Sequence, residues 1–212
     1  MNSQHPSPKD RSHQGHPSSP RRLLSRDDRS QRTDRLLLDV PTMEDIEPLH
    51  EIYADPRVWT HFPSLRHTEP STTGAMLGRW ITAWESDGLG PWMVREAESR
   101  TFLGHAGCRL LGAPAAGAFW NLGYRFAPEA HGHGYATEVS RAALEAARAH
   151  RPEIPVVAYL LEHNTASRRV AENVGLTLRH RAPDAGNPDP DAIRLVLADR
   201  ELTAAQLAET LR

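Results

Sequence analysis

The chain opens in polar residues and becomes patterned only at Thr33, after which apolar positions recur with periods that change from segment to segment. Leu36, Leu37, Leu38 and Val40 form a short apolar strand that ends at Pro41. Thr42 with Asp45 three residues on is a helix start, and Ile46, Leu49, Ile52 and Tyr53 follow at helical spacing until Asp55-Pro56 stops the run. The segment from Val58 to Leu65 has loop character and carries Trp59, His61 and Phe62. A second helix is predicted over Ser71 to Trp84, with Met76, Leu77, Trp80, Ile81 and Trp84 on one broad face. Past the turn Gly88-Leu89-Gly90-Pro91, residues 92–96 and 102–110 read as a hairpin, and Phe119 to Phe126 as a third antiparallel strand.

A loop containing three small residues in close succession, Gly132, Gly134 and Ala136, separates that strand from an alanine-rich helix. The helix is predicted from about Tyr135 to His150, with Ala136, Val139, Ala143 and Ala147 on a smooth face suited to close packing on a sheet. Val156 to Leu161 is continuously apolar, as in a strand covered on both faces. The intervening helix makes it the parallel partner of Phe119–Phe126. Asn164 to Val174 reads as another helix stopped by Gly175. Leu176–His180 and Ala192–Ala198 are two further strands, and Thr203–Leu211 a short terminal helix. The expected class is α/β (α+β), with a mixed sheet of about seven strands and about four principal helices.

The strand-loop-helix junction at Pro128–Glu138 is suited to an anion, because the first N–H groups of a helix lack intrahelical partners and glycines let a phosphate approach them. Two common phosphate motifs do not match. No Lys followed by Ser or Thr comes after Gly134, as a Walker loop requires, and the third glycine of a dinucleotide fingerprint is replaced by Thr137. His131 and His133 suggest a metal, but no carboxylate or cysteine stands at a matching spacing, so no metal site is assigned.

Composition narrows the setting. The 212 residues suffice for one catalytic-sized domain, and the formal net charge of −2 gives no global reason to bind nucleic acid. Residues 1–32 hold seven Lys or Arg against three Asp, and read as a disordered basic extension, the one place where an RNA or acidic partner could bind. Neither a secretory leader nor a membrane span is expected. The single cysteine, Cys108, lies in an apolar run and suits a reducing, cytoplasmic setting. The expected division is an extension at 1–32, a domain at 33–200 and a short helix or tail at 201–212, in a monomer or homodimer.

Pro128-x-x-His131-Gly132-His133-Gly134-Tyr135-Ala136-Thr137-Glu138 resembles the acetyl-CoA pyrophosphate loop of the GCN5-related N-acetyltransferases (GNAT), with His131 standing where Gln or Arg is usual. The ending Gly-Tyr-Ala-Thr-Glu is similar to the branch that includes the ribosomal-protein N-acetyltransferases RimJ and RimL, as are Ala158, Asn164, Ser167, Val170, Glu172 and Gly175-Leu176. The resemblance spans about Thr33 to Ala198. It implies a sheet splayed between its fourth and fifth strands and acetyl-CoA as cosubstrate. It further implies pantetheine bonds near Tyr124 and Phe126, and a pyrophosphate held by the backbone from His131 to Thr137: His131, Gly132, His133, Gly134, Tyr135, Ala136 and Thr137. Asn164 would reach the pantetheine or cap its helix, and both roles can hold together.

In that scheme an amine attacks the thioester directly. Many relatives protonate the departing thiolate from a tyrosine that falls here on Ala171, so Ser167, one turn earlier, is the expected acid. His105, on the strand next to Phe119–Phe126, is the candidate base, since Asn121 cannot act as one. Trp59, His61 and Phe62 are expected to contact the acceptor, a protein N-terminus or a small amine such as an antibiotic or polyamine. A non-catalytic acyl-CoA sensor is the remaining alternative.

Overall fold

Every alternating run of the chain joins one sheet, in a computed structural model that describes residues 29–112, 117–185 and 187–212. The strands are β1 (Gln31–Arg32), β2 (Leu36–Asp39), β3 (Pro91–Glu96), β4 (Phe102–Leu111), β5 (Phe119–Phe126), β6 (Val156–Leu161), β7 (Thr177–Pro183) and β8 (Ile193–Ala198). The helices are α1 (Ile46–Ala54), α2 (Pro70–Asp87), α3 (Tyr135–His150), α4 (Thr165–Asn173) and α5 (Ala204–Thr210). The order across the sheet is β1-β2-β3-β4-β5-β6-β8-β7. Among the described residues, only β5 and β6 are parallel neighbours.

Eight strands stand where about seven were expected, and the additional one lies at the end of the presumed extension. Gln31 and Arg32 pair with Leu38 and Leu37, so pairing begins before Thr33. Just upstream, Arg29 donates to the Trp84 carbonyl at 2.9 Å and its own carbonyl accepts the Trp92 indole N–H at 3.2 Å. These are main-chain and cation contacts, which leave no trace in an apolar pattern. Residues 1–28 of the presumed extension lie outside the described residues.

At the other edge, chain order and spatial order differ. Strand β8 sits beside β6, with Val157 opposite Ala198 and Leu161 opposite Arg194, and displaces β7 to the edge. Burial explains the exchange. Leu195 to Ala198 are all buried, whereas most of β7 is exposed or half-buried, so the more apolar strand takes the interior place.

Alternation sends successive side chains to opposite faces. Trp92 and Val94 join the core under α3 and α4 with Leu122, Phe126, Val139, Ala143 and Ala171, while Met93 joins Leu49, Tyr53, Trp59, Leu77 and Trp80 under α1 and α2. Helix α5 closes a smaller cluster, its Leu207 and Leu211 packing on Phe119 and Val157. Thr42 and Asp45 act as predicted near the start of α1: the Asp45 carboxylate accepts from the Thr42 backbone at 2.8 Å, across a single 3₁₀ turn, Met43–Asp45. No helix among the described residues is long and apolar enough to cross a membrane.

Candidate active site

Strands β5 and β6 are in register at Trp120–Val156 and Asn121–Val157 and nowhere beyond. Strand β5 stays paired to β4 as far as Phe126, and β6 to β8 as far as Leu161, so the two halves of the sheet part after Asn121. Residues 122–126 therefore turn a strand edge towards a gap, and such an edge seeks hydrogen-bond partners.

The loop after β5 is shaped to present its backbone. Gly134, the residue before α3, has a φ of +79°, a left-handed conformation that side-chain-bearing residues resist. His131 Nε2 donates to the Phe126 carbonyl at 3.2 Å, and His133 Nδ1 donates to the His131 carbonyl at 2.9 Å. The first intrahelical bond returns from Glu138 to the Gly134 carbonyl, which leaves the N–H groups of Tyr135, Ala136 and Thr137 at an open helix start.

Arg35, the residue before β2, braces this loop across about a hundred positions of sequence. Its guanidinium pairs with Glu138 at 2.7 Å, donates to the His133 carbonyl at 2.9 Å, and lies 4.8 Å over the Tyr135 ring. Thr33 Oγ1 donates to Glu138 as well. Burial acts to raise the Glu138 carboxyl, but the Thr33 and Arg35 hydrogen bonds outweigh it and hold the group below the usual carboxylate range. An ion pair with one half-exposed partner contributes at most about 1 kcal/mol. Arg35→Ala is accordingly expected to shift the urea midpoint little while weakening acetyl-CoA binding by about three- to tenfold, as the loop loses its brace. Calorimetric titration measures the latter, and unchanged affinity would show that the brace is irrelevant to binding.

Two cavities flank the parted edge. The larger, about 610 Å³, is lined by Phe126, His131, Gly132, Gly134, Tyr135, Ala136 and Thr137 among others. The smaller, about 310 Å³, is lined by Trp59, His61, Phe62, Leu65 and the edges of β5 and β6. His61, Tyr124, Arg125, Asn164 and Ser167 line both. His133 lines neither and is stacked on Tyr135 instead, with ring centroids 5.6 Å apart.

Around that junction, Asn164 Oδ1 accepts the Ser167 N–H at 3.1 Å, capping α4 while its residue lines both cavities. The Tyr124 hydroxyl donates to the Ser167 carbonyl at 3.1 Å. Burial pushes the Tyr124 phenol up to about 12, with its hydrogen bond to Ser167 acting the other way. Ala171 is buried in the core.

His105 does not reach this place. It is buried against Trp80, its Nε2 is 2.8 Å from the Tyr53 hydroxyl, and it lines neither cavity. Burial, then the charge of Arg125, push its pKa down to about 3, far too low for a useful base. The expectation that His105 is the base is therefore corrected: adjacency of strands placed it near β5, but its side chain enters the core beneath α1 and α2. His61, by contrast, lines both cavities. Its imidazole is held below the ordinary range by burial, then by Arg125 and His163. Arg35 and Arg125 are the residues that sequence reasoning missed altogether.

A sheet parted beside an open helix start is the arrangement that the sequence resemblance implies. The profile described as "Acetyltransferase (GNAT) domain" matches residues 35–177, and the chain belongs to that family. Solved structures share the fold. A GNAT-family acetyltransferase from Bacillus anthracis is 19% identical with a TM-score of 0.67, over 80% of this chain and 96% of that one. An acetyltransferase from Agrobacterium tumefaciens is 27% identical with a TM-score of 0.62, over 79% and 92%. RimL, a ribosomal-protein α-N-acetyltransferase in complex with coenzyme A, is 18% identical with a TM-score of 0.64, over 80% and 96%.

Proposed function

We propose that this protein moves the acetyl group of acetyl-CoA to a primary amine by direct attack in a ternary complex, the acceptor being the N-terminal amine of a protein. The observation that carries the reading is the junction itself: two cavities meet at the free edge of β5, one ending on the loop and the other walled by Trp59, His61 and Phe62. The likeness of Gly134-Tyr135-Ala136-Thr137-Glu138 to the RimJ and RimL branch, and the activity in RimL's own name, support a protein amine. Residues 33–200 are the transferase domain in this reading, with 201–212 packed on it through α5.

Acetyl-CoA supplies the acyl group as a thioester; the chain's part is to bind, orient and move protons. The loop N–H groups from Gly132 to Thr137 suit the pyrophosphate, that of His131 being taken by the Pro128 carbonyl. The β5 edge near Tyr124 and Phe126 suits an extended arm bearing amides, which adds to it as a strand would. His61 accepts the amine proton. Ser167 presents its hydroxyl to the departing sulfur, while the Tyr124 proton is committed to the Ser167 carbonyl. A phenol at about 12 holds its proton more tightly than a thiol of about 8.5. Tyr124 therefore positions Ser167, the Ser167 hydroxyl stabilises the thiolate by hydrogen bonding, and solvent completes the protonation.

Free-thiol release from acetyl-CoA, with a panel of free-amine peptides and small amines, tests the reading. Peptides are expected to be acetylated faster. For the wild type, kcat/KM is expected to rise with pH as His61 loses its proton below 6.5, and again towards about 8 as an α-amine does, since both must be neutral. His61→Asn should remove the acid limb and lower kcat at least about tenfold. Turnover restricted to small amines would instead favour a small-molecule acetyltransferase, whose acceptor a 310 Å³ cavity also accommodates. CoA binding without thiol release from any amine would leave an acyl-CoA-binding module.

A further inference from the structure

The acceptor side of the site holds a cation without a carboxylate partner. On β5, Tyr124 and Phe126 pack with the core under α3 and α4, and Arg125 between them faces the other way, onto residues of α1 and the turn after it. Its guanidinium lies 3.5 Å from the Trp59 ring centroid and 5.4 Å from that of Tyr53, and its Nη1 donates to the Val58 carbonyl at 2.6 Å. These contacts fix the plane of the fork.

The other arginine lining the smaller cavity, Arg194, is already engaged by Asp184 and the Thr210 carbonyl. Arg57, on the larger cavity, is taken up by Asp55 and Glu129. Arg125 pairs with no carboxylate among the described residues. Its surroundings are cationic or neutral: burial first, and positive neighbours second with Arg125 among them each time, hold His61, His67 and His105 below the ordinary imidazole range. A guanidinium that is partly stripped of water, held flat by an aromatic ring and open to a cavity is prepared for a planar anion.

We propose that the acceptor amine carries a carboxylate one residue or so from the amine, and that Arg125 grips that carboxylate at the junction of the cavities. The proposal rests on the N-acetyltransferase reading and names its substrate class. The same charge serves the chemistry, because pairing with Arg125 offsets the field of the acceptor's carboxylate, which would otherwise favour the ammonium form over the neutral nucleophile. The source of the carboxylate is either an acidic side chain near a peptide N-terminus or the terminal carboxylate of a dipeptide.

Two matched acceptor pairs test this: Ser-Glu-Ala amide against Ser-Gln-Ala amide, and Ser-Ala against Ser-Ala amide. The quantity read is the ratio of kcat/KM within each pair, which cancels any change in acetyl-CoA affinity. The wild type is expected to favour the acid member of at least one pair by about tenfold or more, the size of a charge-assisted hydrogen bond made in a desolvated site. Whichever pair responds identifies the source. Arg125→Gln should bring that ratio to about one, and Arg125→Lys, which keeps the charge but not the fork, to an intermediate value. A wild-type ratio near one in both pairs overturns the proposal, as does a preference that survives in Arg125→Gln. The same pairs titrated calorimetrically into CoA-saturated wild-type protein separate this proposal from the reading beneath it. Preferential binding of the acid member without thiol release keeps the carboxylate site and removes the transferase, whereas equal acetylation of both members keeps the transferase and removes the carboxylate site.

Discussion

Gly134→Val is expected to weaken acetyl-CoA binding by at least about tenfold in a calorimetric titration, with the far-ultraviolet circular dichroism unchanged. The reason is conformational before it is steric. A Cβ added at Gly134 would meet only the Arg35 guanidinium, at an ordinary 3.6 Å, so the protein has room for it. The φ of +79° is what a β-branched residue resists, at a cost of about 1–2 kcal/mol. The loop relieves the strain by turning its N–H groups away from the cavity, and a valine that stays in place projects into the space a pyrophosphate needs. Gly134→Ala should show a smaller loss, since the strain remains but most of the obstruction is gone. Wild-type affinity in both variants would remove the loop from the binding site.

The largest effect on stability is expected from Trp120→Ala, at about 3–5 kcal/mol. Trp120 is fully buried, lies on β5 opposite Val156, and donates its backbone N–H to the Pro155 carbonyl at 2.8 Å. It thus stands at the last turns of register before the sheet parts. Removing it opens a void where two half-sheets are joined, so cleft geometry and stability should fall together. For a chain of this length that corresponds to a drop of about 10 °C or more in Tm. Trp120→Phe is expected to cost much less: it keeps most of the volume and removes an indole N–H that is buried without a partner among the described residues. Urea unfolding of both variants measures the difference. Equal and small shifts would show that this side chain does not hold the halves together.

How far the site could be read in advance depended on whether a residue's role is local. The run Pro128–Glu138 announced a helix start with an open backbone because the glycines and the following alanine period are consecutive in sequence. Asn164 announced a cap for the same reason, and Asn164 Oδ1 does accept the Ser167 N–H. His105 was a different kind of inference. Membership of the strand beside β5 is readable from the hairpin pattern, but the register that sets His105 opposite Arg125, and the depth of the core that it enters, depend on α1 and α2 packing over that face. Arg125 carried a faint signal, a charge inside an otherwise apolar strand, on the same alternating face as Asn121 and Gly123. Its partner Trp59 lies 66 positions earlier, so the stacking could not be seen.

The amino-acid sequence by itself determined the parallel β5–β6 pair, the helix between them and the anion-ready loop, because hydrophobic period, glycine placement and helix-start chemistry act over a few neighbouring residues. The tertiary structure alone decided that β8 inserts between β6 and β7, that Arg35 holds the loop from the far end of the domain, and which histidine lines the cavities. Those outcomes turn on contacts between residues about a hundred positions apart or on the choice between two strands of unequal burial. Such contacts exist only once the chain has closed on itself, so no local pattern encodes them.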